Sequence, residues 1–75
     1  MDESRKTSLV FDLWISKHTD STSFATMLYQ LIAKADRNNR GKLSLAFPDH
    51  VEVWLEWYNS PDENEFFRSH GIGVR

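Results

Sequence analysis

Two stretches of helical period, separated by the polar break Asp36–Gly41, constrain this chain more than any other feature. In the first, Phe24, Met27, Leu28, Leu31 and Ala35 recur at i, i+3, i+4, i+7 and i+11, which is one face of an α-helix. Ser21, Thr22 or Ser23 can cap it, because a hydroxyl there accepts a hydrogen bond from an amide that the helix leaves free. In the second, Val51, Trp54, Leu55 and Tyr58 repeat the spacing, and Val53 and Trp57 add a second apolar row. Neither stripe can hide its apolar side alone, so the two are expected to pack face to face. Residues 51–58 are also rich in β-branched and aromatic types that suit a strand. Alternation fails at Trp54-Leu55 and Trp57-Tyr58 while helical spacing holds, so the assignment is helix.

The remaining segments add short helices. Val10, Leu13, Trp14 and Lys17, with Phe11 and Ile15 beside them, predict a helix over 7–17. Tyr29 and Ile32 lie off the main stripe of the 21–35 helix and are expected to meet a further helix. Asn38 or Asn39 can cap a helix over 40–47, which Gly41 weakens by about 1 kcal/mol relative to Ala. Pro48 suits the first turn of the next helix, Asp49 complements its positive end, and Asn59 ends it. Ser60 as cap and Pro61 at the first helical position start a last helix that runs to about residue 69, with Phe66 and Phe67 inward. Gly71 supplies a left-handed stop, and Ile72 is placed to fold back on the core. Positions 1–6 and 73–75 are expected to fray. The architecture is therefore a single all-α domain of four to five short helices.

Composition narrows the function. With 75 residues the chain buries only about 60% of its unfolded surface, so each of its aromatics matters. The absence of cysteine removes disulfides and thiolate chemistry and leaves only His and carboxylates for a metal. The acidic start Met1-Asp2-Glu3 is unlike a signal peptide, and no apolar run approaches the roughly 20 residues of a bilayer span. A cytoplasmic protein is the expectation. The net charge of −2 disfavours a general nucleic-acid binder. Charge is unevenly spread: Lys34, Arg37, Arg40 and Lys42 form a basic corner, and between Asp49 and Glu65 there are acids but no Lys or Arg.

No catalytic motif emerges. Asp36, Asn38, Gly41, Leu43 and Ser44 match part of a calcium-binding loop, but Arg40 takes a ligand position and Phe47 stands where a bidentate Glu is needed. A polar turn is the plain reading. Helix, break and helix around 22–47 also suit a helix-turn-helix, yet Leu43, Ser44, Leu45 and Ala46 offer little to base edges. His18, His50 and His70 make no metal-binding pair, and Glu52 with Glu56 reads as a solvated pair of like charges rather than a catalytic dyad. No metal, cofactor or enzymatic activity is expected.

The segment Lys34–Pro48, with Ala-Asp, then Asn, then Leu, then Ala-Phe-Pro followed by an acidic helix, resembles small helical proteins of phages and bacterial mobile elements. The resemblance implies an accessory protein that binds something of the host or phage, and it supplies no active site. Two functional readings follow from the residues. The first is a protein–protein interaction module in which Trp54 or Trp57 anchors a partner and Glu52 and Glu56 steer it, with homodimerisation through the same patch. The alternative is a phosphate-directed binder of nucleic acid or nucleotide using Lys34, Arg37, Arg40 and Lys42. A metal-dependent activity from scattered His and carboxylates is a distant third.

Overall fold

Helices start in this chain where a side chain takes up a free backbone amide. The computed structural model describes residues 1–73, which form five α-helices: α1 (Glu3–His18), α2 (Phe24–Lys34), α3 (Arg37–Ala46), α4 (Pro48–Tyr58) and α5 (Glu63–Ser69). Asp2 accepts from the Arg5 amide, Ser23 from Thr26, Asp36 from Asn39, and Asp62 from Asn64 and Glu65. Only α4 starts without such a cap, and Pro48 occupies its first turn, where a missing N–H costs nothing. Among the described residues there is no strand.

The expected all-α architecture is the one observed, with 51–58 helical as assigned. Three starts differ from expectation. Residues 3–6, expected to fray, form the first turn of α1 because Asp2 caps it. The helix expected from residue 40 begins at Arg37, since Asp36, rather than Asn38 or Asn39, supplies the cap. The last helix begins at Glu63 rather than after Ser60. The Ser60 hydroxyl is spent on the Trp57 carbonyl at 2.6 Å, which leaves Asp62 to cap. The end of α5 follows expectation. Gly71 has φ +75°, its amide bonds the Arg68 carbonyl, and the Ile72 amide bonds the Phe67 carbonyl, a Schellman closure that turns buried Ile72 back onto buried Phe67. Of the C-terminal stretch expected to fray, positions 74 and 75 lie outside the described residues.

The core is built by α1, α2 and α4, with α5 closing one side. Leu9, Val10 and Leu13 meet Leu28, Tyr29 and Ile32, and Val51, Val53 and Trp54 pack over them with Phe67 and Ile72. Tyr29 is 1% exposed and donates its hydroxyl to the Leu9 carbonyl at 2.9 Å. Burial, reinforced by Asp12, pushes that hydroxyl above the usual phenol range, so it stays a donor at any ordinary pH. On the surface, Arg5–Asp49 at 2.9 Å and Lys6–Glu56 at 2.8 Å link α1 to α4. Such partly exposed pairs contribute at most about 1 kcal/mol each.

The stripes do not pack as expected. The residues of α2 that are buried are Thr26, Leu28, Tyr29 and Ile32, while Phe24, Met27 and Leu31 point to solvent. On α4, Val51 and Trp54 are buried as expected, but Leu55 and Tyr58 are exposed and Val53 replaces them in the core. Tyr29 thus adds a buried hydrogen bond to the packing of α2 on α1. Tyr29→Phe is expected to lower stability by about 1 kcal/mol, the worth of one buried hydrogen bond. Urea unfolding followed by tryptophan fluorescence checks this, and an unchanged midpoint would count against the bond's role.

Candidate functional site

Placing the charged and aromatic residues of the sequence in space separates them. Trp54 is buried, with the Arg40 guanidinium over its ring at 4.6 Å and the Tyr58 ring stacked on it at 4.8 Å. Trp57 is half-buried and covered by the Lys17 ammonium at 3.9 Å. Glu56 is bonded to Lys6, and Glu52 is exposed. The four residues expected to form an acidic, aromatic-centred patch therefore do not share one free surface, because the core takes Trp54 and α1 takes Glu56.

The basic corner divides in the same way. Arg37 and Arg40 lie toward α4 and line a hollow with Ser44, Leu55, Tyr58 and Asn59. Lys34 and Lys42 lie on the other side of α3, with Leu31 and Leu43. Arg40 is also committed to the fold. It donates to the Ala35 carbonyl at 3.0 Å and lies on Trp54, and its Nε is buried without a partner among the described residues. Segment 36–44, which matches part of a calcium-binding loop, is the cap and body of α3, so its side chains radiate around a helix instead of converging. Among the described residues no three His, Asp or Glu side chains gather into a metal-binding group.

A different surface forms a continuous site. Among the described residues α2 and α3 do not pack extensively on each other, although only Ala35 and Asp36 join them: α2 lies on α1 and reaches α4, and α3 lies on α4. Between them runs a trough made of two adjoining hollows. One, of about 340 Å³, is lined by Phe24, Met27, Leu28, Leu31, Leu43 and Phe47. The other, of about 390 Å³, is lined by Leu31, Lys34, Ala35, Asn39, Lys42, Leu43 and Ala46. Leu31 and Leu43 belong to both. One end is closed by the Phe24 and Phe47 rings at 5.8 Å, and the other carries Lys34 and Lys42. Phe24 is 70%, Met27 59% and Leu31 52% exposed.

Sequence reasoning assigned Phe24, Met27 and Leu31 to the core and so missed this surface. The available signal was that α2 is apolar around more than half its circumference, which a small chain cannot fully cover. Comparison with family models, with curated proteins and with solved structures gives no match. No described helix is long and apolar enough to cross a membrane.

Two predictions follow from these placements. Arg40→Ala is expected to cost about 1–2 kcal/mol, through a charged hydrogen bond and a cation–π contact, whereas Arg37→Ala stays within about 0.5 kcal/mol. Chemical unfolding of both variants checks the contrast, and equal effects would remove the structural role given to Arg40. His50 lies between the Tyr29 ring at 5.5 Å and the Phe47 ring at 6.0 Å. Its pKa is lowered from 6.5, first by burial and then by Arg5, with Asp12 and Asp49 opposing. The unfolded chain therefore takes up this proton first as pH falls through 6.5, and stability is lost from there down to the folded pKa. Comparing unfolding at about pH 7.5 and about pH 5.5 should show a smaller loss in His50→Gln than in the wild type.

Proposed function

We propose that this chain is a small non-enzymatic protein-interaction module, an accessory protein of the phage or mobile-element kind, whose contact surface is the trough between α2 and α3. The observation that carries the reading is the exposure of Phe24, Met27 and Leu31 in a row beside Leu43 and Phe47. Contiguous apolar surface of this sort often marks an interaction site on a small domain. At the Phe24–Phe47 end the lining supplies packing atoms rather than proton donors or acceptors, which supports binding over catalysis. Phosphate recognition has less support, because the four cations of the basic corner face two sides of α3 and Arg40 is engaged within the fold.

A photo-cross-linking residue at position 31, used in cells of the chain's origin, is expected to form a protein adduct that the same residue at exposed position 8 does not. Leu31→Glu is expected to change stability by no more than about 0.5 kcal/mol, since the side chain is half in water already. It should abolish an adduct formed from position 27. Equal adducts from positions 8 and 31, or none from positions 27, 31 and 43, would overturn the reading.

A further inference from the structure

We infer that the occupant of the trough is one amphipathic α-helix of about three turns, with acidic side chains at the end that meets Lys34 and Lys42 and its bulkiest apolar side chain at the Phe24–Phe47 end. This rests on the protein-interaction reading and specifies the partner's chemistry. Length comes first. From Phe24 to Lys34 the trough follows one helix for about 15 Å, the rise of ten residues and close to three helical turns. Backbone chemistry comes second. The walls are two helices whose amides and carbonyls are largely engaged in their own ladders, and no sheet edge exists among the described residues. An extended peptide would enter an apolar trough with its own amides unpaired, and each one buried that way carries a desolvation cost. A helix brings its backbone already satisfied and presents apolar side chains at i, i+3, i+4 and i+7 to the Met27, Leu31 and Leu43 ridges.

Charge then sets the orientation. Lys34 and Lys42 make no ion pair among the described residues, and the nearby Asp36 carboxylate is taken by the Asn39 amide. The Phe24–Phe47 end offers aromatic surface and no charged side chain among its lining residues. Acids on the occupant therefore match one end only. A second copy of this chain fits poorly. Its exposed helix face with apolar and acidic side chains is Glu52, Leu55 and Tyr58 of α4, and seating that face in the trough of another copy is a head-to-tail contact, which leaves a trough uncovered at one end unless a ring closes.

The test uses the full chain as target. A display library of three-turn helices on a rigid scaffold, with one apolar face randomised and the charge at each end varied independently, is panned on the wild type and counter-selected on Leu31→Glu. Enriched helices are expected to carry Asp or Glu at one end and a large apolar residue at the other. Fluorescence anisotropy of these helices should show affinity falling by about tenfold or more on Lys34→Glu with Lys42→Glu, and recovering when the helix acids become Lys. Circular dichroism of each variant confirms that the fold is kept. Enrichment without acid bias, no enrichment above the Leu31→Glu background, Leu31-dependent cosedimentation with phosphatidylserine vesicles, or Leu31-dependent self-association in sedimentation would each overturn the inference. A position-31 cross-link to another protein would stand in the first two cases, so the broader reading and this one fail separately.

Discussion

The rotation of α2 about its own axis depends on Tyr29. A buried phenol needs an acceptor, and the Leu9 carbonyl on α1 supplies it at 2.9 Å. With that ring inside, the positions of the other side chains follow from helix geometry. At about 100° per residue, Met27 and Leu31 each stand about 160° from Tyr29, and Phe24 about 140°, so all three face away from the core. The helix after α2 cannot cover them. It starts at once from Asp36, is held to α4 by Arg40 lying on Trp54, and so leaves the trough open. The burial of Leu28, Tyr29 and Ile32 on one face, with the Tyr29 bond and one short link, thus sets which apolar residues become core and which become surface.

This explains what the sequence could and could not disclose. Helix class, order and several ends were legible, because caps, Pro48 and Gly71 act through neighbours within a few residues. The buried face of α2 was not. Phe24, Met27, Leu28 and Leu31 form one i, i+3, i+4, i+7 set, and Ala25, Leu28, Tyr29 and Ile32 form another. Periodicity cannot choose between them. The choice is made by an acceptor twenty residues away in the chain, which pattern alone does not locate. The same limit applies to Trp54. Its place in the core is tied to Arg40 and to the elements that bury it, and the aromatic run reads equally well as a contact patch until they are placed.

The basic corner shows a different failure, one of boundaries. Four cations close in sequence form a patch only if the segment is a turn. Once α3 starts at Arg37, Arg37 and Arg40 share a face at i, i+3, and Lys42 stands about 160° around the helix from Arg40. Arg40 and Lys42 already fall on opposite sides of a helix over 40–47, and starting that helix at Arg37 adds Arg37 to Arg40's face, so the cluster becomes two pairs with separate surroundings. One member of the first pair supports the fold, and the second pair borders an apolar trough.

The trough also divides the molecule along a natural seam. On one side α1 and α2 pack on each other, and on the other α3 and α4 do; α4 joins the two halves through core contacts with both α1 and α2 and through the Arg5–Asp49 and Lys6–Glu56 pairs. Across the open side, the connections are the two-residue link, the Arg40 bond to the Ala35 carbonyl and the Phe24–Phe47 contact. A helix seated there would touch both halves at once, through Met27 and Leu31 on one wall and Leu43 on the other. Binding would then stabilise the folded chain by mass action, because the unfolded chain has no trough to fill. Apolar surface left uncovered weakens a domain this small, and the same surface would let its stability report on the presence of a partner.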